Sequence, residues 1–393
     1  MLALVEIAVA ALLYLQGVNA VGTPFGYASG TTGGGSAAPA VPASTSQLVS
    51  WLGDSTARVI LLDKIFDFTD TEGSTTGTAC APWTCSPNPQ LAIDANNWCG
   101  SQYPNAAKST VTYKKAGVSA ITVNSNKTLL GKGSAGGIKG KGLRIVGGRN
   151  IIIQNIRISD INARFVWGGD AITIDGGSNI WIDHNYIKNI GRQMIVTGYG
   201  AAQSVTISDN VFDGSGQISA TCNGVLYHLH LSRHYWTLYF TGASDTITFA
   251  RNYSFEYNSG RGPKVGGTSG YSQLIHMYNN YYVNVAGHAL DGGVGAHVIM
   301  EGNYFNVVTT PSVDGSSGYV FAPVDSAHTA QCSSYLGRNC YANTILSSGA
   351  LNRNDLGTLP YFSSASAVKS ASIMAASSVG SYVQSHAGLG IVN

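Results

Sequence analysis

The sequence predicts an all-β fold, a single-stranded right-handed parallel β-helix, from three observations. Six segments of alternating apolar residues each end in asparagine, at Asn155, Asn185, Asn210, Asn252, Asn280 and Asn303. Four of the five intervals between them span 23 to 30 residues, a period typical of a solenoid. The segments are rich in β-branched residues and no helical pattern separates them, which favours strands stacked coil upon coil.

The repeated asparagines predict a ladder of hydrogen-bonded side chains at the bends. A single asparagine there is typical of an ordinary turn, because Asn tolerates the left-handed conformation, but six in register favour the ladder. Trp181 lies within a repeat strand and is expected in the core. Asp183 and His184 are adjacent, so their side chains are expected on opposite faces. His184 is therefore interpreted as a structural hydrogen-bonding residue and not as a catalytic base.

The first twenty residues form an apolar run that ends in the small residues Val18-Asn19-Ala20. This pattern predicts a signal peptide at residues 1–20, a single β-helix domain at residues 21–393 and secretion. A membrane anchor is the alternative, but the apolar run is short and no stop-transfer pattern follows it.

Charged residues make up 11% of the chain, against about a quarter in ordinary soluble domains. The formal net charge of +2 is too small to argue for nucleic acid or membrane binding, although it does not oppose an acidic polymer. A monomer is expected. Asn126 and Asn252 each begin a glycosylation sequon.

Six cysteines in a secreted chain predict three disulfides, for which the sequence alone allows fifteen connectivities. Cys332 and Cys340 are close in sequence and are expected to pair. One of Cys80, Cys85 and Cys99 is expected to cross to Cys222. Free buried thiols are the alternative, disfavoured in an oxidising compartment.

The longest interval, 42 residues between Asn210 and Asn252, contains three closely spaced histidines. His228, His230 and His234 raise the possibility of a metal site, but no acidic or cysteine partner stands at zinc-like spacing. A long loop or hairpin beside a cleft is the favoured interpretation.

Three short segments carry the residues that favour chemistry: WGGDAI ending at Ile172, IGRQ ending at Gln193, and SGRGPKV ending at Val265. Asp170 and Arg192 are about one repeat apart, and residues one repeat apart stack on the same face of a solenoid. Asp170, Lys188 and Arg192 are therefore expected to share a groove suited to an acidic or esterified sugar.

These segments, with TPFGYASGTTGG, IKGKGLRIVGGRNIIIQN and CSSYLGRNC, resemble fungal pectin lyases of the pectate/pectin lyase superfamily. The resemblance covers nearly the whole chain after residue 20. It implies a parallel β-helix whose long loops form the substrate cleft. It also implies the pairs Cys80–Cys99, Cys85–Cys222 and Cys332–Cys340.

The resemblance implies an eliminative cleavage of methyl-esterified galacturonan, with Asp170, Arg192, Arg261 and Lys264 as the catalytic set. Arg261 would accept the C5 proton, although an arginine is ordinarily protonated at all relevant pH. Arg192 would donate to the ester carbonyl, and Asp170 would orient either Arg192 or the substrate. Rings expected along the cleft, which suit stacking on sugar faces, are Trp83, Trp98, Trp167, Tyr235 and Trp236.

Calcium-dependent pectate lyases hold Ca²⁺ with several carboxylates, because a hard cation needs several oxygen ligands. The corresponding places here read Lys188 and Arg192, so no metal or other cofactor is implied. A glycoside hydrolase would need paired carboxylates, and no Asp-Asp pair or acidic cluster is evident in the repeats. Calcium-dependent pectate lyase and a non-catalytic β-helix that binds polysaccharide are the alternatives.

Overall fold

The computed structural model describes residues 20, 22–84, 89–216, 218, 220–221, 232–254 and 257–393. Most of its strands join one parallel sheet of 23 strands that winds through successive coils. This is a parallel β-helix, and it confirms the predicted fold class. The segment predicted as a signal peptide lies outside the described residues, except for Ala20.

The strands are numbered β1 to β29 in chain order. They are β1 Pro39–Ala40, β2 Arg58–Leu62, β3 Ile65–Asp67, β4 Ser74–Cys80, β5 Leu91–Ile93, β6 Lys108–Lys114, β7 Ile121–Thr122, β8 Lys127–Gly131, β9 Gly137–Lys139, β10 Leu143–Gln154, β11 Arg157–Ile161, β12 Phe165–Val166, β13 Ile172–Asp183, β14 Tyr186–Ile190 and β15 Ile195–Thr197. They continue as β16 Ala202–Ser208, β17 Val211–Asp213, β18 Ser215–Gly216, β19 Ser232–Arg233, β20 Leu238–Phe240, β21 Ser244–Ala250, β22 Tyr253–Ser254, β23 Lys264–Val265, β24 Ser272–Tyr278, β25 Tyr281–Gly292, β26 Ala296–Glu301, β27 Tyr304–Ser312, β28 Tyr319–Phe321 and β29 Thr344–Leu346.

Short helices lie outside the coil. The α-helices are α1 Thr45–Gly53, α2 Trp98–Gln102, α3 Lys115–Val118, α4 Ser326–Ala330, α5 Ser333–Leu336, α6 Ser366–Lys369 and α7 Ala376–His386. The 3-10 helices are Gly26–Ala28, Ala95–Asn97 and Leu356–Phe362. No helix in the described part of the chain has the length and apolar character needed to cross a membrane.

Three stacks of parallel strands form the walls of the coil. The first stack contains β7, β15, β20, β23, the first halves of β10 and β13, and the end of β25. The second contains β1, β2, β8, β16, β21, β24, β26, β28 and the second halves of β10 and β13. The third contains β3, β9, β11, β14, β17, β22, β27, β29 and the start of β25.

Apolar side chains stack from coil to coil in the interior. One column in the second stack runs through Ile153, Ile182, Ile207, Phe249, Met277 and Met300, each in register with the next and none more than 1% exposed. Full burial of such a side chain stabilises a fold by about 1.5–3 kcal/mol. Trp181 is also buried, but outside this interior: it packs against Ala28 of the N-terminal arm, and its Nε1 donates to Ser208 Oγ (3.0 Å).

The predicted asparagine ladder is present, but its membership differs by one residue at each end. The Nδ2 of each member donates to the Oδ1 of the next at 2.9–3.0 Å, through Asn185, Asn210, Asn252, Asn280, Asn303 and Asn343. Asn155 does not belong to it, because it aligns with His184 and its side chain donates to Gly131 O and Gly133 O instead.

The residue before each of the first five ladder asparagines adopts the left-handed conformation, and so does Asn155 at the equivalent place one coil earlier. The φ angles are 57° at Asn155, 54° at His184, 52° at Asp209, 57° at Arg251, 53° at Asn279 and 61° at Gly302. This conformation ends the strand and turns the chain into the third stack. Because His184 has this conformation, its side chain does not alternate with that of Asp183 as in a regular strand. The expectation that the two side chains lie on opposite faces is therefore wrong: His184 Nδ1 lies 2.6 Å from Asp183 Oδ2.

A small four-stranded sheet of β4, β5, β6 and β12 projects beside the coil. The disulfide Cys80–Cys99 ties its base, and Cys332–Cys340 closes the loop around α5. These are two of the three implied pairs, and both are confirmed. Cys85 and Cys222 lie outside the described residues.

Candidate active site

A cleft lies along the turns that lead from the third stack into the first. Backbone hydrogen bonds hold these turns in order on successive coils: Ala171 N–H to Gln193 O, Met194 N–H to Thr237 O, Leu238 N–H to Arg261 O, and Gly262 N–H to Ala289 O. Residues at the same turn of neighbouring coils are therefore brought together, as predicted for Asp170 and Arg192.

Asp170 and Arg192 form a bidentate ion pair in this cleft. Arg192 Nε donates to Asp170 Oδ1 (2.9 Å) and Arg192 Nη2 donates to Asp170 Oδ2 (2.5 Å). The backbone N–H of Gln193 also donates to Asp170 Oδ1 (2.8 Å). The Arg192 guanidinium carbon lies 4.0 Å from the centre of the Trp167 ring. The cation is thus held on one side by a carboxylate and on another by an aromatic face.

A cavity of about 490 Å³ adjoins this pair. Asp170, Trp167 and Arg192 line it together with Arg144 and Thr173 of the first stack. Its size suits a small part of a sugar chain.

Arg261 occupies an aromatic cage. Its guanidinium carbon lies 4.6 Å from the Trp236 ring centre, 5.0 Å from Tyr239 and 5.7 Å from Tyr235. Within the described residues no carboxylate pairs with it, and its buried Nε has no hydrogen-bond partner. Burial lowers the pKa of Arg261; Tyr235 and Tyr239 oppose that shift and Arg192 adds to it. Burial is therefore the principal cause of the lowered pKa of Arg261.

The other cations on the first stack are paired with carboxylates. The ion pairs are Arg144–Asp175, Arg192–Asp170 and Lys264–Asp291, with N–O distances of 2.8, 2.5 and 2.9 Å. Lys264 stands in register between Tyr239 and Asp291, close to the Arg261 cage. Its charge is thus balanced locally, and Arg261 is the cation of this described set without an acidic partner.

The five predicted rings form one aromatic wall. Trp83 lies 5.9 Å from Trp236 and 6.5 Å from Trp98, centroid to centroid. Trp98 lies 6.2 Å from Trp167, and Tyr235 lies 4.9 Å from Trp236. The wall links the small sheet to the Arg192 and Arg261 positions, so the rings are brought together as expected. Tyr103 joins the wall, 5.2 Å from Trp98, and was not predicted.

Lys188 is not brought to this cleft. It lies on β14 in the third stack, where Nζ donates to Ser215 Oγ (2.8 Å) and pairs with Asp213 Oδ2 (3.0 Å). It lines a separate cavity with Arg164. The expectation that Lys188 shares a groove with Asp170 is wrong. Lys188 lies on the third stack, whereas Arg192, four residues later, already lies in the turn that leads to the first stack.

His234 is buried and links two backbone segments of the cleft. Its Nε2 lies 2.9 Å from Arg192 O and 3.1 Å from Trp236 O, so it donates to the backbone of two cleft segments. Burial lowers its pKa to about 4, which keeps the ring neutral. This is a structural role and not metal ligation. His228 and His230 lie outside the described residues.

An acidic cluster that the sequence did not reveal lies at the bends and not in the cleft. Asp183, His184 and Asp209 form the only group within the described ranges that places three metal-ligating side chains together. Asp183 accepts hydrogen bonds from Gln154, Ser208 and His184, and Asp209 pairs bidentately with Arg251. These partners satisfy the carboxylates, so the cluster supplies neither a hydrolase pair nor an open cation site.

Sequence reasoning also missed Tyr239, Asp291 and His288. Tyr239 and Asp291 face the cleft because each is in register with Lys264, and that register depends on the lengths of the intervening loops. His288 receives a hydrogen bond from the Arg261 backbone. The only available signal was the position of His288 about one repeat after Arg261.

Comparisons with known proteins agree with this geometry. A family model described as pectate lyase matches residues 1–392. A probable pectin lyase A of Aspergillus fumigatus is 48% identical over 374 residues, which cover 95% of this chain and 95% of that protein. Pectin lyase B of Emericella nidulans is 48% identical over 354 residues, or 90% of each chain.

Solved structures show the same fold at low identity. A Bacillus pectate lyase in complex with trigalacturonate matches with a TM-score of 0.58 at 21% identity, covering 94% of this chain and 100% of that chain. Pectate lyase II of Xanthomonas campestris matches with a TM-score of 0.54 at 20% identity, covering 94% and 98%. The resemblance predicted from the sequence is confirmed, and the chain belongs to the pectate lyase family.

Proposed function

We propose that this chain is a pectin lyase that cleaves α-1,4-linked, methyl-esterified galacturonan by calcium-independent β-elimination. Its 48% identity to fungal pectin lyases over most of the chain supports this activity. The observation that carries the mechanism is the contrast between two arginines: Arg192 is fixed by Asp170, whereas Arg261 is held by aromatic rings without a carboxylate.

The electrostatics of the cleft favour an uncharged polymer. Three of the four cations named on the first stack are neutralised by carboxylates, which leaves little excess positive charge for a polyanion. The aromatic wall offers apolar faces to sugar rings. Methyl esterification removes the substrate's negative charge, so the esterified chain matches this surface better than free galacturonan does.

Calcium fits this cleft poorly. Ca²⁺ takes six to eight oxygen ligands, usually including several carboxylates. Asp170 is the carboxylate that lines the described cavity, and both of its oxygens already accept hydrogen bonds from Arg192. The fixed guanidinium thus occupies the position where a cation would neutralise developing charge.

The elimination needs a base for the C5 proton and a donor for the ester carbonyl. Arg261 takes the C5 proton, since burial lowers its pKa and favours the neutral form more than in water. The C5–H electrons form an enolate-like anion on the ester. Arg192 uses Nε and Nη2 for Asp170, which leaves the Nη1 N–H groups to donate to that carbonyl oxygen.

The anion then collapses to a C4=C5 double bond, and the C4–O bond breaks. The departing oxygen takes a proton from solvent or from the protonated Arg261. The products are one chain with a 4,5-unsaturated ester at its non-reducing end and one chain with a free hydroxyl at C1, which is a new reducing end. No water is consumed, in contrast with glycoside hydrolysis.

The proposal also includes secretion as a monomer and one glycosylation site. Asn126 is exposed, whereas Asn252 is 1% exposed and its amide is used in the ladder. Only Asn126 of these two sequons is therefore suited to carry a glycan in the folded protein. Mass spectrometry of the secreted protein checks this assignment.

The reaction is tested with highly esterified pectin in the presence of a chelator. A rise in ultraviolet absorbance from the conjugated unsaturated ester, with new chain ends in equal number, is the expected result. New reducing ends without that absorbance would indicate a hydrolase. Binding without either product would indicate a polysaccharide-binding protein.

A further inference from the structure

We propose that His288 is a positioning residue for Arg261, and that its protonation switches the Arg261 turn out of its productive conformation. The inference rests on the proposed pectin lyase activity and extends it to a residue on the next coil. The key contact is the Arg261 backbone N–H, which donates to His288 Nε2 at 3.0 Å.

Arg261 has a backbone conformation that needs support. Its φ of 51° lies in the left-handed region, which is strained for a residue with a side chain. Such a conformation persists where surrounding contacts hold it. Two backbone hydrogen bonds flank it, Leu238 N–H to Arg261 O and Gly262 N–H to Ala289 O, both at 2.7 Å. His288 supplies the contact to the Arg261 amide itself.

The two coils approach closely at this point. A Cβ at Gly287 would lie 1.9 Å from Ser259 O, and a Cβ at Gly260 would lie 2.5 Å from the Tyr235 ring and 3.2 Å from His288 Cε1. Only glycine fits at either position. The imidazole also packs edge-on against Tyr235, 5.9 Å between centroids, and Tyr235 is one wall of the Arg261 cage.

The hydrogen bond requires a neutral imidazole. In that state Nε2 carries a lone pair and Nδ1 carries the proton. In the protonated ring both nitrogens are donors, so Nε2 can no longer accept from the Arg261 N–H. Protonation of His288 therefore removes one support of the Arg261 turn and adds a positive charge beside it.

The charged neighbours of His288 come from three elements. Asp291 lies on its own strand, Lys264 on β23, and Arg261 in the turn before β23; Tyr235 faces it from the preceding coil. Burial lowers the pKa of His288 below its usual value, Asp291 opposes this shift, and Lys264 and Arg261 add to it. The imidazole is thus neutral at neutral pH, and the switch operates as the pH falls below about 6.5.

The test compares His288→Gln, His288→Leu and wild type, with His386→Gln as a control for an exposed histidine on α7. Glutamine offers an acceptor that does not titrate, so kcat near neutrality stays within about threefold and the acid limb moves to lower pH. Leucine offers no acceptor, so kcat falls about tenfold while KM changes by less than about twofold.

A second arm does not depend on activity. In isotope-labelled wild type, the Arg261 amide signal and the His288 ring signals should move with one common midpoint in an NMR pH titration. Separate midpoints, or an unchanged acid limb in His288→Gln, would overturn the inference. If the wild type cleaves no pectin but the midpoints coincide, the proposed function fails and the positioning contact stands.

Discussion

The Arg192 guanidinium meets the Asp170 carboxylate in a two-point contact, with N–O distances of 2.9 and 2.5 Å, across two adjacent coils. The pair fixes a positive charge in the cleft without a metal. It also determines which N–H groups of Arg192 remain available to a substrate. The orientation of one guanidinium is thus set by a residue 22 positions earlier in the chain.

Replacement of Arg192 by lysine is expected to lower kcat about 10²-fold, because an ammonium cannot pair bidentately and still donate at a fixed second point. Steady-state kinetics on esterified pectin measures the loss. Arg149→Lys, at an exposed position outside the cleft, serves as the control and should retain wild-type rates. A full rate in Arg192→Lys would remove the oriented donor from the mechanism.

Replacement of Arg261 by lysine is expected to lower kcat by about 10² to 10⁴-fold, the usual contribution of a positioned base. The shorter reach of lysine displaces the nitrogen from the point where the three rings hold the guanidinium. Equal thermal stability of variant and wild type would show that the loss is chemical. A variant with undiminished kcat would exclude Arg261 as the proton acceptor.

Interruption of the asparagine ladder is expected to lower the free energy of unfolding. In Asn252→Ala, the Asn210 backbone N–H loses its acceptor, and Asn210 Nδ2 and Asn280 Oδ1 each lose one of two partners, all in a buried bend. The unpaired N–H costs about 1–3 kcal/mol in the free energy of unfolding, and each of the two further lost hydrogen bonds costs about 0.5–1.5 kcal/mol. Denaturant unfolding measures this value, with the exposed Asn105→Ala as control. A difference below about 0.5 kcal/mol would mean that ladder bonds are replaced by water.

The buried pair of His184 and Asp183 predicts a pH-dependent stability. Burial acts against the charged imidazole, but the hydrogen bond and charge of Asp183, with Asp209 nearby, outweigh burial and raise the pKa of His184. A raised folded-state pKa contributes stability that is full below the unfolded value of about 6.5 and is lost as pH rises through the folded value.

The His184→Gln variant should therefore lose most stability, relative to wild type, on the acidic side of about pH 6.5 and less above it. Unfolding free energies at a series of pH values give the comparison, with exposed His386→Gln as control. A stability difference that does not change with pH would show that His184 stays neutral in the folded protein.

The fold could be predicted because its signal repeats. Alternating apolar segments at a steady period define a coil even where individual strands are short. The membership of the asparagine ladder was predicted with one error at each end. Asn155 was included although it occupies the left-handed bend position. Asn343 was not included because it follows Asn303 after an interval of 40 residues, longer than the usual period. Asparagine suits both roles, so composition does not separate them.

The pairing of Asp170 with Arg192 was predictable because the two residues fall one coil apart at a turn, whereas Arg261 entered the candidate site only through the resemblance to fungal pectin lyases. Lys188 was misplaced because the turn after β14 separates it from Arg192. The spacing of residues in the sequence does not show where the coil turns from one stack to the next. His288 was missed for a different reason: it accepts a hydrogen bond from the backbone N–H of Arg261, and no side-chain pattern reports a contact to a backbone donor.

A fixed guanidinium and an aromatic wall are expected to favour an esterified chain over a charged one. The most direct test is the ratio of kcat/KM on highly esterified pectin to kcat/KM on fully de-esterified galacturonan, measured with added Ca²⁺ and with chelator. We expect a ratio well above one that chelator leaves unchanged. A ratio below one, or elimination that chelator abolishes, would contradict this expectation.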